Sequence, residues 1–500
     1  MAIDAKSAQD DPGLGGTEGL GRVAAAAFAG TAIEYYDFFL YGMAAALVFG
    51  REYFPALGPV NALLAAFSVY AVAFVARPVG AVVFGHFGDR LGRKAVLVVS
   101  LLLMGLSTTA VGLLPGYGRW GVWAPLALVV LRFCQGLGLG GEWGGAALLV
   151  VEHAPPDRRG RYAGYLQLGP CAGSTFATAV FLAVSLGLPA REFASWGWRL
   201  PFLGSLLLVG VGLFVRLRIA ETPVFAAERA AAAGRAAAAG RAAAAGRAAA
   251  AGRASAAGQG AAVAGESGAS GGGGRPLPVS AVLREHWRTV LLGSGALCFG
   301  YALYYLGSTY ALAYTTNQLG VPQTLMLALQ LLAAPAGALA VWYSAGASDR
   351  WGRRRTVLLG TALAACWSLL LFPILETLRP ELMLLALVGT GLLQGVLLGP
   401  VAAYLPELFP TRVRYTGAAL TYNLGGVVGG GTAPLLATRM TAAYGTAAPV
   451  GWYLAGLGVV AVLCLLALPD RSGCDLTVEH GLADGGPAGR AAVASGGAAM

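Results

Sequence analysis

Lysine is nearly absent from this 500-residue chain: Lys6 and Lys94 are the only two. Charge of either sign is scarce, at 12% of residues against 57% hydrophobic ones, and the mean hydropathy is +0.66. Length alone would allow two to four soluble domains, but that balance excludes them. The net charge of +10 is carried almost wholly by arginine. These arginines lie between apolar runs, so their position matters more than their total, and no nucleic-acid partner is expected. The six cysteines (Cys134, Cys171, Cys298, Cys366, Cys464 and Cys474) have neither metal-ligand nor disulfide-framework spacing. Five lie in apolar runs, where a thiol packs as a small apolar group, so no metal site is expected. His86, His153, His286 and His480 are dispersed, and no Walker loop, H-E-x-x-H or nucleophile elbow is present. That argues against an enzyme. A cleavable signal peptide is not expected either, because the first apolar run is too long for a signal h-region.

What the chain has is spans. Apolar runs fall at 23–49, 60–84, 95–114, 122–150, 162–187 and 198–218, then at 289–316, 322–345, 356–375, 381–405, 415–438 and 449–469. Each is about long enough to cross a bilayer core. Pro322 and Pro335 predict that the eighth is broken or displaced. Alternate connections hold twelve basic residues (Arg90, Arg93, Lys94, Arg158, Arg159, Arg161, Arg350, Arg353, Arg354, Arg355, Arg412 and Arg414) against five in the other set. The excess places that set and both termini in the cytoplasm.

The connections after spans two and eight read GHFGDRLGRK (85–94) and AGASDRWGRRR (345–355). D-R-x-G-R at equivalent places argues for two related six-helix halves. Asp89 and Asp349 are each suited to a helix N-terminus. The expected organisation is a cytoplasmic tail (1–21), a first bundle (22–218), a linker (219–288), a second bundle (289–469) and a disordered tail (470–500). Within the linker, R-AAAAG repeats over 229–253. It reads as frayed helix or disordered linker, or as a segment drawn to anionic lipids.

Inside the first span, AIEYYDFFLYG (32–42) carries Glu34 and Asp37 on one helix face. A charge there costs several kcal/mol unless paired, protonated or wetted, so the face looks onto a polar pathway. At about 1.5 Å per residue, Asp37 and Arg132 reach similar depth, as do Arg77 and Glu142 nearer the cytoplasm. Two ion pairs are therefore expected, Asp37 with Arg132 and Arg77 with Glu142, leaving Glu34 without an evident partner. Spans seven to twelve offer no comparable buried charge, only neutral groups such as Tyr301, Tyr304, Tyr305, Tyr310, Gln330, Gln394, Tyr422 and Asn423. GLGLGG (136–141), lying in a helix without a preceding strand, reads as close packing and not as a dinucleotide loop, as does the Gly425/Gly429 pair.

Four stretches together resemble a known family: EYYDFFLYGMAAALVF (34–49), FVARPVGAVVFGHFGDRLGRK (74–94), LRFCQGLGLGGEWGGAALLVVEHAPPDRRGRY (131–162) and LPELFPTRVRYTGAALTYNLGGVVGGGTAP (405–434). They are similar to the major facilitator superfamily, and within it to the metabolite:proton symporters of carboxylates, shikimate-type acids and compatible solutes. The resemblance implies an all-α membrane protein with twelve transmembrane helices in two pseudo-symmetric six-helix bundles. It also implies an acid on the first span and an arginine on the fourth in proton coupling, here Asp37 and Arg132, with Glu34 beside them. An acid beside an arginine stays ionised and takes a proton when the pair separates. Arg132 and Arg77 would hold a substrate carboxylate, with Tyr304, Tyr305, Gln330, Gln394 and Asn423 orienting the rest. Asp89, Arg90, Arg93, Glu142, Glu152, Arg158, Arg159, Asp349, Arg350 and Arg353 would close the inward gate. The expected function is secondary active import of a small organic acid with protons across the plasma membrane, by a monomer among membrane lipids. No cofactor is expected, and the proton gradient supplies the energy. The alternatives are a proton-coupled exporter or an osmolyte symporter. The latter ranks lower because the tail has no coiled coil.

Overall fold

The computed structural model describes residues 17–91, 93–141, 143–218 and 278–471, and among them all regular structure is helical. The N-terminal residues 1–16, Glu142, the 229–253 repeat and the tail from 472 lie outside the described residues. In a hydrocarbon core every backbone N–H and C=O must be satisfied within its own segment, and helices do this for runs apolar on all sides.

Eleven helical stretches are long and apolar enough to cross a membrane: Phe28–Tyr53, Pro55–Phe84, Val96–Leu113, Trp123–Glu152, Arg159–Gly187, Gly197–Phe214, Trp287–Asn317, Gln323–Trp351, Arg353–Leu375, Pro380–Glu407 and Ala448–Ala467. A further helical passage runs through Arg414–Gly426, a π-helical turn at Val427–Gly431 and Ala433–Tyr444. Counted in chain order it is the eleventh of twelve passages, and its glycines dilute its hydropathy. The fold is that of a multi-pass helical membrane protein. The eighth passage corrects an expectation. Pro335 lies inside an unbroken helix, Gln323–Trp351, and Pro322 is its N-cap. A missing N–H costs nothing at a helix start, and within a bundle neighbouring groups absorb the one lost at Pro335.

Passages one and five pack together, as do seven and eleven. Two packs on four, and eight on ten. The halves meet where passage five lies along passage eight and passage two along passage eleven. Each of these contacts in one half thus has its counterpart in the other, and the described helices outside residues 215–276 form one compact unit. Small residues let the backbones approach. A Cβ on Gly80 would lie 2.1 Å from the Leu137 carbonyl oxygen, and one on Gly140 2.0 Å from that of Arg77. The GLGLGG stretch is therefore a helix-packing surface. Passages one and seven each carry a π-helical turn toward the end away from the D-R-x-G-R loops, at Ala45–Phe49 and Leu306–Tyr310. Such turns leave a carbonyl displaced from the regular ladder.

Candidate functional site

A cavity of about 160 Å³ lies between the halves, lined from passages one, five, seven, eight, ten and eleven. That is below the roughly 300 Å³ at which drug-sized pockets begin, so it suits a small metabolite. Tyr304, Tyr305, Gln330 and Gln394 line it as expected, joined by Tyr35, Tyr301 and Tyr422. Gln167, Cys171, Ser174 and Thr390 complete much of the polar wall, and no charged side chain lines the cavity among the described residues.

Two glutamines are held so that they present acceptors. Gln167 Nε2 donates to the Leu398 carbonyl at 3.0 Å and Gln394 Nε2 to the Gly300 carbonyl at 2.9 Å. A backbone carbonyl can only accept, which fixes each amide's orientation. Their Oε1 atoms are buried without a hydrogen-bond partner, as are the Tyr301 and Tyr305 hydroxyls. The wall therefore offers two unfilled acceptors and two unfilled donors. A buried polar group left unmade costs about 1–3 kcal/mol, so the cavity favours a solute that both donates and accepts.

Arg77 and Arg132 are fully buried but do not line the cavity, contrary to the expectation that they hold substrate directly. Aromatic rings take them instead. The Arg77 guanidinium carbon lies 4.4 Å from the Phe38 ring centre and 4.7 Å from that of Phe74. That of Arg132 lies 4.0 Å from Tyr41, 4.5 Å from Phe38 and 4.7 Å from Tyr70. Nε and Nη2 of both arginines lack hydrogen-bond partners. Tyr305, which lines the cavity, and Tyr35 stand against Arg77.

The expected Asp37–Arg132 ion pair is not formed. Arg132 Nη1 donates to Gln135 Oε1 at 3.0 Å, while both Asp37 carboxyl oxygens are buried with no hydrogen-bond partner. Equal depth does not by itself bring side chains together; the Arg132 guanidinium lies instead on the faces of Phe38, Tyr41 and Tyr70. Glu142, the expected partner of Arg77, lies outside the described residues. Glu34, which the sequence left without an evident partner, is buried and not without one. Asn423 is buried but not in the cavity wall. Tyr310 also turns away and bonds the Ala437 carbonyl and the Thr441 hydroxyl.

At the end bearing the basic loops, Asp349 reaches across the halves. Its Oδ1 accepts the Gly160 N–H at 2.8 Å and its Oδ2 the Arg161 N–H at 2.9 Å, capping the helix Arg159–Gly187. First-turn N–H groups have no partner within their own helix, and the helix dipole adds to the attraction. Arg353, also buried, donates to Asp349 at 2.6 Å and lies 3.6 Å from Glu407. Arg159 is buried and faces Glu407 too. Glu152 pairs with Arg414 at 3.9 Å. Among the described residues Arg158 pairs with neighbouring Asp157, both largely exposed, and Arg350 is exposed, so neither is seen to join this network. The backbones of Asp89, Arg90 and Arg93 are helical, but their side chains lie outside the description.

Sequence reasoning missed several groups. Glu407 is a buried acid in the second half, although LPELFP displayed it. Gln135 follows Arg132 by three residues and so shares its helix face. Gln167 stands two residues before the Gly169–Pro170 pair in passage five. At the opposite end Asn317 Nδ2 donates to the Ala46 carbonyl, in the first passage's π-turn, at 2.8 Å.

Two pseudo-symmetric helical halves that enclose a neutral cavity and meet at one end through Asp349 on a helix N-terminus are the architecture of a solute carrier. The sequence profile of the sugar (and other) transporter family matches residues 23–470, and the chain belongs to that family of the major facilitator superfamily. It is a membrane transporter and not an enzyme. Among its relatives is the inner membrane metabolite transport protein YhjE of Escherichia coli K12, 40% identical and covering 89% of this chain and 93% of its own. The shikimate transporter of the same organism is 33% identical, with coverages of 90% and 94%. A glycine betaine/proline/ectoine/pipecolic acid transporter, OusA of Dickeya dadantii, is 29% identical over 91% and 84%. A crystal structure of a D-xylose-proton symporter superposes with a TM-score of 0.67 at 16% identity, covering 91% of this chain and 99% of that one. That likeness shows the fold.

Proposed function

We propose that this carrier imports a small hydroxylated organic acid together with protons, with the basic loops and both termini in the cytoplasm. The observation that carries the reading is the set of unfilled acceptors and donors in the cavity, Gln167 and Gln394 against Tyr301 and Tyr305. A hydroxyl group donates and accepts at once and so can complete both kinds. The acid part of the proposal rests on Arg77 and Arg132, two buried cations without a described carboxylate, behind Tyr305 and Phe38. It also rests on the relative named a shikimate transporter. Asp37 would carry the proton from a place outside the cavity, so that coupling works through conformation and not through direct contact with substrate.

A second reading is favoured by the uncharged wall: a neutral or zwitterionic solute, such as a polyol or a betaine. Proteoliposomes with an inward proton gradient separate the two. Uphill accumulation of labelled shikimate, abolished by a protonophore and by Asp37→Asn, is expected. Accumulation of D-xylose or glycine betaine without shikimate would move the assignment to the second reading. Uptake indifferent to the gradient would overturn proton coupling.

A further inference from the structure

Asp37 and Arg132 do not touch, yet a line of neutral side chains runs between them. Arg132 Nη1 donates to Gln135 Oε1 at 3.0 Å, and Gln135 Nε2 donates to Thr108 Oγ1 at 2.8 Å. Thr108 donates in turn to the Met104 carbonyl at 3.0 Å; its helix packs against that of Asp37 and brings the hydroxyl within electrostatic reach of the Asp37 carboxyl, with no hydrogen bond joining the two in this state. All four residues are buried, none more than 3% exposed. A hydroxyl has one proton and two lone pairs. One lone pair of Thr108 is taken by Gln135 and its proton by Met104, which leaves a lone pair for the proton of a neutral Asp37. A carboxylate at Asp37 needs a donor instead, and the Thr108 hydroxyl can supply one by rotating from Met104. The bonds from Arg132 all run in one direction, so its charge polarises the chain toward Thr108.

We infer that Thr108 and Gln135 are positioning residues for proton coupling: the Thr108 hydroxyl switches its donor bond between the Met104 carbonyl and Asp37 as that acid loses its proton, and Gln135 relays the charge of Arg132 to it. This rests on the reading of Asp37 as the coupling acid. Titratable groups on its own helix include Tyr36 and Glu34, and passage five, which packs along that helix, carries Cys171; Arg132 stands two hydrogen bonds beyond Thr108. Of these, Tyr36 is in electrostatic contact with it.

The test needs no transported substrate. Infrared difference spectra of the reconstituted full chain, titrated with pH, report carboxyl protonation, and Asp37→Asn identifies the Asp37 band by its loss. Removing the donor makes ionisation harder. Thr108→Val is therefore expected to raise the band's midpoint by about one pH unit, a tenfold change. Gln135→Leu should raise it by less, and Thr108→Ser should leave it in place. Gln135→Leu decides the matter if Thr108→Val does not fold. Midpoints unmoved in the folded variants would overturn the relay, and so would an Asp37→Asn spectrum that loses no titrating band. Protonophore-insensitive shikimate uptake by the wild-type chain would instead overturn the parent reading, whatever the midpoints do.

Discussion

Asp349→Asn should open the basic end of the carrier, and the structure sets the size of the effect. Three bonds converge on this carboxylate, but they do not count alike. Arg353 belongs to the same half as Asp349, so their pair moves as one body and cancels between open and closed states. Only the Gly160 and Arg161 N–H bonds cross the halves. Each is charge-assisted and contributes about 1.5 kcal/mol or slightly more, with up to about 1 kcal/mol from the helix dipole. An asparagine keeps one acceptor oxygen for one N–H and turns its own NH2 toward the other. What remains is one neutral bond of about 1 kcal/mol. The closed state therefore loses about 2 to 3 kcal/mol, and the open fraction at the basic end rises thirty- to hundredfold.

Cys171 reports that fraction, because it lines the cavity and can be reached by a membrane-impermeant maleimide only when an end opens. Applied from the basic end, the reagent should label Cys171 at least thirtyfold faster in Asp349→Asn than in the wild type, with Cys171→Ser as the blank. The acceleration approaches that factor while the open state stays a small fraction, and it falls short where the variant's open state becomes a major one. An acceleration below about threefold, in protein expressed at normal levels, would refute the cap as a gate.

Other consequences are smaller or more local. Burial works to raise Glu376, but bonds from the Tyr314 hydroxyl at 2.6 Å, the Ala447 N–H at 2.8 Å and the Thr446 hydroxyl at 2.8 Å outweigh it and hold the group below its ordinary 4.5. A carboxylate lowered in this way contributes stability that is full above its ordinary value and lost as pH falls through the folded value. Thermal unfolding of the wild type should therefore weaken with acid below about pH 4.5, and Glu376→Gln should flatten that limb; parallel curves would count against it. Asn317→Ala removes the bond to the Ala46 carbonyl, about 1 kcal/mol, and should slow Cys171 labelling from the basic end roughly fivefold. Gly80→Ala places a Cβ 2.1 Å from a backbone oxygen and should lower stability by about 1–3 kcal/mol. Gly118→Ala, with nothing within 4 Å, should leave melting unchanged.

The fold was legible because membrane helices advertise themselves. Length, hydropathy and the twice-occurring D-R-x-G-R sufficed for the number and pairing of passages. Where reading failed, the missing quantity was direction around a helix. Depth along the membrane normal put Asp37 and Arg132 level, but it could not show that Tyr41, Tyr70 and Phe38 would collect the guanidinium first. Proline counting misjudged the eighth passage for a related reason, since the freed backbone group at Pro335 is answered by neighbours that only the packed bundle supplies. Gln167, Gln135 and Thr108 were passed over because neutral polar residues recur in apolar runs without function. Their meaning lies in which atom is left unbonded, and that is a property of the assembled site.

The two ends of the cavity are closed by bonds of different kinds, and the difference bears on direction. Crossing the halves at the basic end are two N–H bonds to the Asp349 carboxylate, the Tyr415 hydroxyl on the Gly141 carbonyl at 3.1 Å, and the half-exposed Glu152–Arg414 pair. At the opposite end stand Asn317 on Ala46 at 2.8 Å and Gln323 on Ser185 at 3.4 Å, both neutral and the second long. Neutral bonds contribute about 1 kcal/mol each and charge-assisted ones about 1.5 to 3, while an exposed pair adds little. The basic end is thus the harder to open by about 3 kcal/mol, roughly a hundredfold in population. In the orientation proposed above, that bias would leave the empty carrier facing outward. A ligand cancels such a bias only by binding the other state more tightly by the same factor, and reverses it fully only at about ten-thousandfold. If neither the solute filling Gln167 and Gln394 nor a proton on Asp37 supplies a hundredfold alone, both must be aboard before the basic end opens, and protons do not leak through without cargo.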